Sequence, residues 1–193
     1  LQSGEFDSGC ARLDPENLWL WRQSPRRLEG ETIRDTMLAV SGALDRTMYG
    51  PGTLKEGQRR RSIYFTMKRS QLIPMMVLFD APDGLQSLGQ RSTTTVAPQA
   101  LLLLNNPHVR EWAEEFAQRL APRAGVALAE SVEAGYRTAL GRAPGADELE
   151  SALDFLVRQM GSYQRAGKSK PLELALADFC RTLMGLNEFV YVQ

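Results

Sequence analysis

The last third of the chain carries the pattern that most restricts its fold. Leu128, Val132, Tyr136 and Leu140 recur at four-residue spacing. After the turn residues Gly141-Arg142-Ala143-Pro144-Gly145, a second stripe runs through Leu149, Leu153, Leu156, Met160 and Tyr163. Beyond the polar connector 167–170, Leu172, Leu176, Phe179, Leu183 and Leu186 form a third. Residues three and four apart share one face of a helix. Three helices with apolar stripes and short links must pack on one another to cover those stripes. The pattern predicts a mainly α fold, a single compact helical domain of about six helices with at most a small β ribbon. Residues 7–193 are read as that domain, with its core in 18–193. LQSGEF at 1–6 reads as a tag or cloning remnant and is set aside. The start at Leu1 without Met is expected of a piece cut from a longer parent protein, whose C-terminal domain this would be.

Upstream, Ser24-Pro25 reads as an N-cap followed by Pro at the first helical position. Leu28, Ile33, Met37, Val40 and Leu44 continue the helical spacing, predicting a helix over 25–44. Arg27, Glu31, Arg34 and Asp35 fall on its polar face. Ile63, Phe65 and Met67 alternate, which predicts a strand. A strand needs a partner for its backbone groups, and the candidates are 19–21 and 189–192. A helix is expected from about Ser70 to Phe79, with Pro74 in its first turn. Another is expected from Val96 to Asn105. A third should follow the cap Asn106-Pro107, run through Trp112, Phe116 and Leu120, and stop at Pro122.

Charge and special residues exclude several functions. Lys plus Arg and Asp plus Glu both number 23, so no net field draws the chain to nucleic acid or an anionic membrane. No segment approaches the roughly 18–20 apolar residues that span a bilayer, so no membrane insertion is expected. Cys10 and Cys180 leave one disulfide open, but Cys180 sits in an apolar helical pattern and reads as a buried free thiol. His108 is the only histidine. With no spare histidine, a Ser/His/Asp triad and an all-histidine metal site are nearly excluded, and His108 reads as a surface or cap-region residue. There is no CxxC, no CxxCH, and no phosphate- or dinucleotide-binding glycine motif. No metal and no cofactor are expected in this segment.

What remains is the stretch 61–106, where polar residues lie between two apolar pieces. Two readings of it stand. In one, Asp80, Asp83, Arg91, Thr94, Thr95, Gln99 and Asn105 form a structural hydrogen-bond network, since Asp before Pro or Gly is ordinary turn chemistry. In the other, Asp80 and Asp83, with Glu56 or Glu188, supply the two carboxyls of a glycan hydrolase, completed by upstream domains. The basic run Arg59–Arg61 with Lys68 and Arg69 reads as a solvated edge. Trp19, Trp21 and Trp112 read as core, with a sugar-stacking platform as the alternative.

These residues resemble a known family. The spaced motifs are Arg27-Leu28-Glu29, Arg34-Asp35 and Ser41-Gly42; Arg61-Ser62-Ile63-Tyr64; Leu78-Phe79-Asp80 with Pro82-Asp83; Arg91 with Thr94, Thr95, Val96, Gln99 and Asn105; Tyr136-Arg137 with Leu140-Gly141-Arg142 and Pro144; and Asn187-Glu188-Phe189. In order, they resemble the C-terminal domain of large secreted proteins of planctomycete-type bacteria whose upstream part carries a cytochrome c module. The resemblance covers roughly 18–193 and brings no assigned reaction. It implies an extracytoplasmic location (periplasmic, surface or secreted), with upstream domains of the parent as partners and polysaccharide or a surface protein as a further one. The expected role is a non-catalytic helical interaction or structural module, with the carboxylate hydrolase as alternative.

Overall fold

The computed structural model of the chain describes residues 7–23, 25–82, 89, 91–121 and 127–192. Among them the order is α1 (Ser8–Leu13), β1 (Arg26–Arg27), α2 (Gly30–Ser41), a 3-10 turn (Ser62–Tyr64), α3 (Pro74–Leu78), α4 (Ala97–Asn105), α5 (Pro107–Leu120), α6 (Leu128–Leu140), α7 (Ala146–Arg165), α8 (Pro171–Met184), α9 (Asn187–Val190) and β2 (Tyr191–Val192). The fold is mainly α, and its two short strands form one antiparallel pair.

The three C-terminal stripes become α6, α7 and α8. Helix α8 is the centre of the packing and buries Leu176, Phe179, Cys180, Leu183 and Met184 against α5 and α7. Helix α5 in turn packs on α2, and its Trp112 and Phe116 are almost completely buried. Cys180 is free and fully buried, and burial pushes its thiol well above the usual range. Asn106 caps α5, accepting hydrogen bonds from the backbone N–H of His108 at 2.8 Å and of Val109 at 3.3 Å. His108 stacks on Trp112 with ring centroids 6.3 Å apart.

Four expectations need correction. The first long helix covers Gly30–Ser41, not 25–44. Arg26 and Arg27 are taken instead by pairing with Val192 and Tyr191, and the Leu28 N–H extends the ladder to the Val190 carbonyl at 2.8 Å. Gly42 ends the helix with φ +80°, a conformation that glycine adopts without strain. Second, the alternating segment 63–67 is not a strand. Ser62–Tyr64 is a 3-10 turn, and Phe65 makes only a single bridge, to Thr53. Third, residues 19–21 are turn, and Trp19 is 79 % exposed rather than core. Fourth, the helix expected from Ser70 starts at Pro74; a proline with no N–H costs nothing in a first turn but cannot sit deeper.

Candidate functional site

Two polar clusters hold the irregular middle of the chain onto α2 and α3, and a cleft lies between them. The first is centred on Asp80, just beyond the end of α3, where the backbone takes φ +62°. Arg27, 6 % exposed, places its Nη2 2.6 Å from Asp80 Oδ2 and its guanidinium carbon 5.2 Å from the Phe79 ring centroid. Thr94 closes the other side. Its N–H donates to Oδ2 and its hydroxyl to Oδ1, both at 2.8 Å.

The same cluster caps α3. A helix leaves its last carbonyls without partners; here backbone N–H groups of 79–81 take those of Met75 to Val77, and two distant side chains take that of Leu78 and those of the two residues after it. Arg91 Nε donates to the Asp80 carbonyl at 2.8 Å and Nη2 to that of Phe79 at 3.1 Å. Gln99 Nε2 donates to the Leu78 carbonyl at 2.9 Å and the Thr94 carbonyl at 3.1 Å. The remaining arm of Arg91 reaches Glu31 at 2.9 Å. Thr95 bonds the Tyr191 hydroxyl at 3.0 Å, tying the strap to β2.

Asp80, Arg91, Thr94 and Gln99 thus meet in one hydrogen-bonded set, with Thr95 at its edge. Asn105 stands exposed at the end of α4 and makes none of these bonds. Asp83 lies outside the described residues. Burial raises the Asp80 pKa, but the two Thr94 hydrogen bonds and then the charges of Arg27 and Arg91 outweigh it. The carboxyl is held below the usual carboxylate range. A general acid for glycoside cleavage needs the opposite shift.

The second cluster is centred on Arg34, which is fully buried. Its Nη1 donates to the Arg60 carbonyl at 3.0 Å and Ser62 Oγ at 3.1 Å. Its Nη2 donates to the Gln58 carbonyl. The guanidinium carbon lies 4.7 Å from the Phe65 ring centroid and 5.5 Å from that of Trp112. Loss of water lowers its pKa to about 10, opposed by the charge of Asp35. Asp35 accepts the Ser62 N–H and hydroxyl, each at 2.7 Å. Adjacent residues of α2 therefore pin the segment 58–62 from both sides.

Sequence reasoning missed both arginines, placing them on a polar helix face. For Arg27 the residues alone give no signal, because its ladder partner Tyr191 lies at the far end of the chain. For Arg34 the only signal is the neighbouring aromatic residue types.

Between these clusters a cleft of about 630 Å³ runs along α2. Its floor is apolar, with Phe65, Ile73, Met76 and Val77. Glu29, Glu31 and Asp35 stand on the α2 wall, and Arg61 and Lys68 are on the lining contributed by the middle segment. Thr32 and Thr36, one turn apart, also line it. Its size and mixed lining are those of a small-ligand or peptide site. No group of three or more His, Cys, Asp or Glu able to hold a metal occurs among the described residues.

A third polar node explains the C-terminal motif. Arg142 bonds both oxygens of Glu148 and both of Glu188, each at 2.7 Å. It locks the α6–α7 corner to α9. Glu148 also caps α7 by accepting the Gly145 N–H at 2.7 Å, and the Arg142 hydrogen bonds bring its pKa down to about 2.

These arrangements define a helical domain whose irregular middle is riveted by arginines and which carries an amphipathic cleft beside α2. Residues 1–156 match the family described as PSD1, protein of unknown function (DUF1553), so the chain belongs to that family. No curated protein and no solved structure matches it.

Proposed function

We propose that this chain is a non-catalytic helical interaction module of a secreted or surface bacterial protein, and that it binds through the cleft beside α2. A polysaccharide segment or a surface protein is the partner, and further domains of the parent carry whatever chemistry accompanies binding. The observation that carries the reading is the state of Asp80. Both carboxylate oxygens are committed to Arg27 and Thr94, and the group titrates low. A carboxyl so engaged neither donates a proton near neutral pH nor frees an oxygen for attack. The cleft supports binding independently, because Thr32, Thr36, Lys68 and Gln71 line it as groups able to bond a hydroxyl or amide. The extracytoplasmic location rests on the resemblance of the motifs alone.

The test is titration of the chain with neutral and sulfated oligosaccharides and with a peptide panel, followed by NMR shifts. Binding should map to 29–39 and 61–77 and be lost in Thr36→Trp, which fills the cleft. Release of reducing sugar from any of these glycans, abolished by Asp80→Asn in a folded protein, would overturn the reading in favour of a hydrolase.

A further inference from the structure

The turn before β1 is built to hold apolar side chains in water. Asp14, itself buried, accepts the Leu18 and Trp19 N–H groups, both at 2.8 Å. Asn17 donates to the Arg22 carbonyl at 2.8 Å and accepts the Arg22 N–H at 3.2 Å. Trp21 Nε1 donates to the Asp14 carbonyl at 2.9 Å. Leu20 is held at φ +53°, a region that a bulky residue enters only when its surroundings compel it. At the tip, Leu18, Trp19 and Leu20 are 74 %, 79 % and 81 % exposed. Three consecutive large apolar residues on an internally bonded loop form a rigid knob, and such a patch marks a binding surface.

The same molecule carries a receptor of matching character. The cleft beside α2 has an apolar floor and about 630 Å³ of space, enough for an indole and a leucine. Within it Arg61 pairs with Asp35 at 3.6 Å and Arg91 with Glu31 at 2.9 Å, which leaves Glu29, its side chain 63 % exposed, and Lys68 as the charges on its lining most open to a partner. The loop is likewise bipolar, with exposed Arg12 and Arg26 near its ends and Glu16 within it. We infer that the Leu18–Leu20 knob of one copy seats in the α2 cleft of a second copy, with Arg12 and Arg26 toward Glu29 and Glu16 toward Lys68. An exposed knob and a complementary pocket elsewhere on one chain suffice for self-association. The inference rests on the cleft being a binding site, as proposed above.

The experiment has two arms. Sedimentation equilibrium of the full chain, from about 1 to about 200 µM, covers the range in which small interfaces associate. The average mass should rise above that of one copy with concentration, since each copy offers both a knob and a cleft, and Trp19→Ser and Ala39→Trp, the latter in the cleft lining, should each weaken association at least tenfold, with unchanged circular dichroism. In the second arm, Trp19→p-benzoylphenylalanine is photolysed in a mixture of isotope-labelled and unlabelled copies. Cross-links should run between copies and end in 29–39 or 61–77. A chain monomeric throughout, association indifferent to both substitutions, or cross-links ending elsewhere would each overturn the inference. So would a monomer that sediments with phosphatidylglycerol vesicles through Trp19, which would give the knob to a lipid surface. If the chain is monomeric but still binds a glycan or peptide in a manner lost in Ala39→Trp, the cleft reading survives and this inference does not.

Discussion

Arg27 and Arg34 are cations almost without water, each laid on an aromatic ring, each with its Nε buried and unpartnered, and each held through its other nitrogens by a different kind of neighbour. Arg27 is balanced by a formal charge, Asp80, 2.6 Å away. Arg34 is served mostly by backbone carbonyls, with the nearest Asp35 oxygen at 3.5 Å. Removing one partner of a buried pair strands the other, at a cost of roughly 3–5 kcal/mol. Arg27→Met should therefore destabilise the fold by that amount in urea titration, and adding Asp80→Asn should cost less than the sum of the two single changes. Arg91→Ala strips the Phe79 and Asp80 carbonyls of their partner just past α3 and should cost about 1–3 kcal/mol, read the same way. The pH dependence follows from the depressed pKa of Asp80. Its contribution is present above the ordinary aspartate value near ~3.9 and is lost as pH falls through the lowered folded value. Glu148 behaves alike, between the ordinary glutamate value 4.5 and about 2, but its side chain is 39 % exposed, so its effect should stay below about 1 kcal/mol. Thermal melts from pH 6 to pH 2 should show a steep acid loss that Asp80→Asn makes shallower.

At the scale of elements, junctions matter more than helix interiors. Gly30 opens α2 where a Cβ would sit 2.7 Å from Phe79 Cβ. Alanine is normally the better helix former by ~1 kcal/mol, yet here the clash should reverse the sign. Gly30→Ala is expected to lower stability by about 1–3 kcal/mol, and a raised melting temperature would refute the close packing of α2 on α3. Helices α5 to α8 were legible because their stripes and caps are local: Asn106-Pro107 starts α5 as its chemistry demands. The Arg91, Thr94 and Gln99 part of the polar cluster was legible from composition, as polar groups packed between apolar pieces need partners. Arg27 was not, because it belongs to a two-residue ladder whose partner lies at the far end of the chain. The middle segment was misread as a strand for a related reason. Its alternation reflects Phe65 covering Arg34, and no periodicity rule anticipates a buried guanidinium.

For the whole molecule, α8 is the common wall. The helices around it are continuous with one core cluster reaching from Ile33 to Val190, so the long-range ties at Asp80, Arg34 and Arg142 add rigidity to a shape already set by apolar burial. The ribbon of β1 and β2 has a different consequence. Arg26 faces Val192 across an antiparallel ladder, so whatever precedes residue 26 and whatever follows residue 192 leave from the same end of it. Tension applied between those two points would peel the ladder open one rung at a time, rather than shear all its bonds together. The ribbon would then act as a zip fastener that yields at low force, while the helices behind it stay intact.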